Sequence, residues 1–353
     1  MLTIDQIPTP ALRLDLDAFD ANLKKMAAHA KASGKALRPH AKAHKCVEIS
    51  KRQLAAGSSG ICVATTSEAE LMAKAGIADL LLTSPIADVN KIARIAKTGA
   101  MVVVDHVQQV DWYNEAARVA NRNIAVLIDL DPGDHRTGAR PDGQGLSVAE
   151  AVDRASNLTL RGTQAYSVLG SHANTHEDRR RASEAGFQIA AETRRAMDRK
   201  GLCTGILTGG STGSWDIDSN IVEVTEMQAG SYALMDLAYS RLDVPFLRAL
   251  TVLVTVISAN HDGFVTVDGG FKAFSTDRAY GPEAVSLPGS KYRWGGDEFG
   301  YVDIEAPVMK PRLGDRIEFL HPHCDPTVNL YDRIYACRGE IVEDVWSVMD
   351  RLR

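Results

Sequence analysis

Apolar, β-branched runs alternate with segments of helical spacing through the first two thirds of the chain. Runs at 36–43, 60–64, 79–84, 100–105, 124–130, 158–166, 205–207 and 222–228 read as strands. Between most of them apolar residues recur at helical intervals, as at 17–32, 67–75, 89–96, 107–120 and 179–200. Ser67 with Glu70 makes a capping-box pattern, and Asp17 precedes an apolar stripe. Eight strand–helix units predict an α/β chain opening with a (β/α)8 TIM barrel, with an open doubly wound sheet as the alternative.

After Pro245 the texture changes. Strand-like runs at 249–259, 263–268, 301–305, 316–321 and 333–337 are separated by Gly, Pro and Asp turns, and a helical pattern returns only at the last residues. This predicts a C-terminal β-rich domain. The strand-like run 11–15 precedes the first barrel helix and is grouped with the second domain. The expected division is therefore 16–243 for the barrel, and 1–15 with 244–353 for the second domain.

A chain of 353 residues with 45% hydrophobic residues has enough material for both. A net charge of -5 offers no overall field for nucleic acid or an anionic membrane. No apolar run approaches a bilayer span, and the N-terminus lacks the blocks of a signal peptide. Five cysteines without a C-x-x-C pair fit a reduced, cytoplasmic protein.

The chemistry gathers where strands end, as in barrel active sites. Arg38, His40, Lys42, His44 and Lys45 fall within eight residues. On a strand, Arg38, His40 and Lys42 would share a face. A lysine crowded by cations deprotonates more easily, and its neutral amine can form a Schiff base. A solvated basic turn is the ordinary alternative. Gly-rich segments at 208–214 and 228–232 follow strands seven and eight, the usual phosphate position of a barrel. A Schiff-base lysine with a phosphate cradle describes a pyridoxal phosphate (PLP) site. Alternation would also put His321, His323 and Asp325 on one face and Cys324 on the other, a donor set for a divalent metal of the Mn, Zn or Mg type.

The segments Thr9-Pro10-Ala11-Leu12, 38–45, Gln164-Ala165-Tyr166, Gln228-Ala229-Gly230-Ser231-Tyr232 and His323-Cys324-Asp325-Pro326-Thr327 resemble metal-activated D-threonine aldolases. Those belong with D-serine dehydratase-like proteins among fold-type III PLP enzymes of the alanine racemase fold. The resemblance implies Lys42, preferred over Lys45, as the PLP lysine, Arg136 near the cofactor's phenolic oxygen and Tyr166 in contact with it. It implies Gly210, Ser211, Thr212, Gly230 and Ser231 in the phosphate loops, and Gln228 near the pyridine nitrogen. Being neutral, Gln228 is not expected to enforce protonation there. His323 and Asp325 match the metal pair, with Mn2+ expected and Mg2+, Co2+ or Zn2+ as alternatives. Asp325 favours the aldolase branch, since dehydratases typically carry Cys there. His172, with His176 as rival, or a hydroxide held by the metal, would take the proton of the substrate's β-hydroxyl.

The implied reaction is retro-aldol cleavage of a D-3-hydroxy amino acid, D-threonine giving glycine and acetaldehyde, in a homodimer. D-3-hydroxyaspartate cleavage, dehydration of D-serine or D-3-hydroxyaspartate, and a non-enzymatic PLP carrier are the alternatives. Ser167 departs from the family, where a His often follows the tyrosine, and so bears on the substrate's side chain.

Overall fold

The computed structural model describes residues 2–304 and 310–349. They form two units: Met26–Lys42 with Ile49–Gly230, and Met1–Lys25 with Ala43–Glu48 and Ser231–Met349. Among the described residues no helix is long and apolar enough to cross a membrane.

Strand β1 (Ala11–Asp15) and helix α1 (Leu16–Ser33) open the chain. The barrel strands follow as β2 (Ala36–Leu37), β3 (Ile61–Val63), β4 (Leu80–Leu82), β5 (Met101–Val104), β6 (Ile124–Leu130), β7 (Leu158–Ala165), β8 (Ile206–Gly209) and β9 (Glu226–Met227). Between them run α2 (Val47–Ala55), α3 (Thr66–Lys74), α4 (Val89–Ile95), α5 (Val107–Val119), α6 (Gln144–Arg154), α7 (Val168–His172), α8 (His176–Arg199) and α9 (Trp215–Asp218). The strands are parallel in the order β2-β9-β8-β7-β6-β5-β4-β3. The ends meet, because His40 bridges Cys62 and the Cys62 N–H donates to the Pro39 carbonyl at 2.9 Å. The sheet closes into the (β/α)8 ring that the alternation predicts. Cys62, Leu81, Val103 and Leu127 fill it as a buried layer, with Met101 and Ile206 packed on them.

One expectation needs correcting. The run 36–43 is not a single strand, because β2 stops at Leu37 and Ala41–Ala43 form a 3-10 turn. Pro39 has no N–H to give a ladder, and beyond it the chain makes the bridge from His40 to Cys62 and then turns. Arg38, His40 and Lys42 therefore do not share a strand face. Arg38 is buried, with Nε donating to Glu226 Oε2 at 3.0 Å and Nη1 to the Asp79 carbonyl. His40 Nδ1 accepts the Lys42 N–H at 3.3 Å, so its ring proton sits on Nε2, 3.0 Å from Thr83 Oγ1. The Arg38 guanidinium is thus paired with Glu226, away from Lys42, while His40, Arg136 and Lys42 line one cavity.

In the other unit α10 (Leu237–Ser240) precedes β10 (Leu250–Ser258), β11 (Phe264–Val267), β12 (Glu283–Ala284), β13 (Lys291–Trp294), β14 (Gly300–Asp303) and β15 (Arg316–Leu320). Then come α11 (Cys324–Val328), β16 (Arg333–Arg338) and β17 (Ile341–Ser347). The sheet order is β13-β14-β11-β10-β1-β16-β17, with β15 on β10 and β12. Strand β1 lies antiparallel to β10 and parallel to β16. Its core is aromatic: Phe274 meets Tyr292, Trp294 and Phe319 edge-on, at 5.7, 6.5 and 5.7 Å between centroids. The helical pattern expected at the last residues is instead β17, antiparallel to β16, with Trp346 buried against Phe19. The end of the expected strand 301–305, at Glu305, lies outside the described residues. So do Met1, 306–309 and 350–353 of the expected second domain.

The Arg38–Glu226 pair joins β9 to the chain leaving β2, with both side chains under one-tenth exposed. Breaking a buried pair strands the surviving charge and costs about 3–5 kcal/mol. Glu226→Gln should lower the urea midpoint accordingly, and adding Arg38→Met should recover most of the loss. An unchanged midpoint in the single variant would show that the pair does not hold the ring.

Candidate active site

Lys42, Arg136, Tyr166 and Gln228 line one cavity of about 300 Å³ in the barrel unit, with His40, Thr83, Thr137 and Gln164. The Arg136 guanidinium lies over the Tyr166 ring, 4.8 Å from its centroid. Lys42 reaches this wall from the turn that Pro39 begins. Lys45, the rival lysine, sits in the other unit, its Nζ donating to Asn329 Oδ1 at 2.7 Å.

Behind the cavity runs a buried polar chain in which Asp129, Thr137 and Thr83 join the expected Gln164 and Gln228. Asp129 accepts from Thr137 Oγ1 at 3.0 Å and from Gln164 Nε2 at 2.9 Å. Gln164 Nε2 also donates to the Thr83 carbonyl at 2.9 Å, and Gln164 Oε1 accepts from Gln228 Nε2 at 3.0 Å. Burial pushes the Asp129 carboxyl up to about 7, against its hydrogen bonds from Gln164 and Thr137. A signal was available for Asp129, the one polar residue in the otherwise apolar strand Ile124–Leu130.

The two Gly-rich segments turn as the backbone requires. Gly210 has φ +78°, and a Cβ there would stand 2.3 Å from Asp218 Oδ2. Asp218 is fully buried, which raises its carboxyl to about 6, and the Ser183 and Ser214 hydroxyls bond it. Ser211 caps the turn Thr212–Ser214, its hydroxyl accepting the Gly213 N–H at 3.0 Å. A Cβ on Gly230 would stand 2.5 Å from the His40 carbonyl, and Ser231 opens a buried turn just after it. None of these five lines the cavity as described. His172 ends α7 half-buried and also lies outside the described lining. His176 opens α8 with Nε2 3.0 Å from Asp216.

The other unit brings His323 and Asp325 together, His323 Nε2 standing 3.3 Å from Asp325 Oδ2. The alternation expected at 321, 323 and 325 does not persist, because the chain turns into α11 at Cys324. His321 is fully buried, with neither ring nitrogen bonded among the described residues, and burial drives its pKa down to about 3. Cys324 Sγ donates to the Ala43 carbonyl at 3.1 Å, which takes the thiol out of contention as a ligand. Asp236 fixes the turn, accepting the Tyr239 and Cys324 N–H groups at 2.9 and 2.8 Å. Asp277 Oδ2 lies 2.7 Å from His323 Nδ1. Burial opposes charge on His323, but Asp325, Asp236 and Asp277 outweigh it and hold the imidazole above its ordinary pKa.

Both sites fit the groups expected of them by donor chemistry. A primary amine, a guanidinium on an aromatic face and a neutral amide share one cavity of ligand size. One imidazole nitrogen and one carboxylate face each other, while Asp277 occupies the other ring nitrogen. Among the described residues no third His, Cys, Asp or Glu completes the group, so the pair leaves coordination positions open.

Residues 14–235 match the family "Alanine racemase, N-terminal domain", and 249–337 match "Putative serine dehydratase domain". The chain is 37% identical to D-threonine aldolase of Arthrobacter sp, over 98% of this chain and 93% of that one. It is 36% identical to 3-hydroxy-D-aspartate aldolase of Paracoccus denitrificans, over 98% and 92%. The crystal structure of D-threonine aldolase from Filomicrobium marinum superposes with a TM-score of 0.95 at 34% identity, covering 98% of this chain and 96% of that one. The chain belongs to the PLP enzymes of the alanine racemase fold, in the family of D-threonine aldolase and 3-hydroxy-D-aspartate aldolase.

Proposed function

We propose that this protein is a carbon–carbon lyase that cleaves D-3-hydroxy amino acids, D-threonine to glycine and acetaldehyde or D-3-hydroxyaspartate to glycine and glyoxylate. Near-equal identity to the two kinds of aldolase supports both substrates. The observation that carries the reaction is the Lys42–Arg136–Tyr166–Gln228 cavity in a chain related to aldolases almost end to end.

Lys42 Nζ would hold the aldehyde carbon of PLP, Arg136 and Tyr166 its phenolic side, and Gln228 its ring nitrogen. Gly210, Ser211, Thr212, Gly230 and Ser231 would hold its phosphate. Bound PLP supplies an electron sink for the pair left on Cα when the Cα–Cβ bond breaks. His323 Nε2 and Asp325 would hold a divalent ion, Mn2+ first, with Mg2+, Co2+ or Zn2+ as substitutes. That ion supplies Lewis acidity toward the substrate's 3-hydroxyl oxygen. His172 would accept the hydroxyl proton on an imidazole nitrogen as the bond to Cβ opens. The carboxylate of Asp325, a hard ligand beside an imidazole, suits these ions better than a thiolate would.

A panel of D-3-hydroxy amino acids, with and without chelator, tests the reading. Release of aldehyde and glycine, abolished by chelator and restored by Mn2+, is expected. Ammonia with a keto acid would make the protein a dehydratase, and inert PLP-loaded protein would make it a carrier.

With Asp277 Oδ2 accepting at 2.7 Å, the His323 proton would stay on Nδ1 when an ion replaces the Nε2 contact to Asp325. Asp277→Ala should weaken Mn2+ binding by about 10–100-fold in equilibrium dialysis. Asp277→Asn, which still accepts through its carbonyl, should lose less. Equal affinity in all three proteins would remove Asp277 from the site.

A further inference from the structure

The buried amide chain has a direction, and the direction ends at the cavity. Thr83 contributes a backbone carbonyl, which can only accept, 2.9 Å from Gln164 Nε2. Asp129 Oδ1 lies at 2.9 Å from the same nitrogen. Both N–H bonds of Gln164 are thereby spent, and its Oε1 must face Gln228. An amide oxygen also only accepts, so Gln228 turns its Nε2 inward, 3.0 Å from Gln164 Oε1 and 3.2 Å from Thr208 Oγ1. That uses both N–H bonds of Gln228. Its Oε1 has no hydrogen-bond partner among the described residues, and the side chain lines the cavity. Rotating either amide by half a turn would set oxygen against oxygen in a buried site, with Gln164 and Gln228 at 3% and 5% exposure.

We propose that Gln228 offers the cavity a hydrogen-bond acceptor and no donor, so that the cofactor's ring nitrogen set against it is held protonated, as a pyridinium. Gln164 is the positioning residue, and the Thr83 carbonyl is the anchor. Protonation of Asp129 near neutral pH does not reverse the chain, because the Thr83 carbonyl has no proton to gain. A neutral glutamine thus selects the protonated ring by lone-pair direction, without a formal charge. The protonated ring is the stronger electron sink, which suits a reaction that leaves an electron pair on Cα. The inference rests on the PLP reading of this cavity.

The test is the 15N NMR signal of holoenzyme reconstituted with ring-15N-labelled PLP, taken across neutral pH, beside the visible absorption of the Lys42 imine. Wild-type protein should give a pyridinium signal that does not titrate where the free cofactor's ring does. Gln228→Glu should retain it. Gln228→Leu, and separately Gln164→Met, which frees Gln228 to turn, should move the signal toward neutral pyridine. An unprotonated nitrogen in wild type with the imine band intact would overturn the proposal and leave the PLP reading standing. Absence of the imine band would overturn the PLP reading, and the proposal with it. A pyridinium signal unchanged in both Gln228→Leu and Gln164→Met would show that another group holds the proton.

Discussion

Pro39 lacks a backbone N–H, and much of the site follows from that missing donor. The strand that begins at Ala36 ends at Leu37, His40 makes a single bridge to Cys62, and the chain then turns at Ala41–Ala43. The Pro39 carbonyl is still available and takes the Cys62 N–H, which closes the ring of strands. Arg38, one residue earlier, is fixed inside by Glu226, and His40, one residue later, by Thr83. Lys42 is then carried on a short turn, its N–H donating back to His40 Nδ1, and its side chain lines the cavity. A continuous strand would have spread the basic side chains along one face. The break separates Arg38, paired with Glu226, from His40 and Lys42, which line the cavity.

Both candidate sites use one physical device. A group that can only accept fixes the proton of a neighbour, and the neighbour's other atom is thereby aimed. The Thr83 carbonyl fixes Gln164, which fixes Gln228. Asp277 Oδ2 stands against His323 Nδ1, and Nε2 faces Asp325. In each case the aimed atom is defined by hydrogen bonds made behind it, before any ligand arrives.

The barrel was legible because strands buried on both faces read as short apolar runs, and the runs from 60 to 130 fall on β3 to β6. The ends were not. Strands β2 and β9 are two residues each, and their pairing depends on the proline and a buried ion pair, neither visible as periodicity. β17 is absent from the strand-like runs of the sequence because an edge strand with exposed Glu343, Asp344 and Val345 lacks the alternation of a strand. Within the site, the position of Lys42 could be read from its basic neighbours, but its surroundings could not. Asp129 stands out as a polar residue in an apolar run, yet the partner that gives Gln164 its direction, Thr83, lies 81 residues from Gln164. Asp277 had no signal at all, standing 46 residues from His323 in a turn-rich stretch. Side-chain direction is set by partners distant in sequence, and local pattern does not carry it.

The central claim is that the nitrogen of Lys42 carries the cofactor as an imine. Borohydride reduction of PLP-loaded protein followed by peptide mapping measures this directly. One labelled peptide is predicted, modified at Lys42 and lost in Lys42→Ala. Label on Lys45 instead, or none on cofactor-loaded protein, would contradict the account.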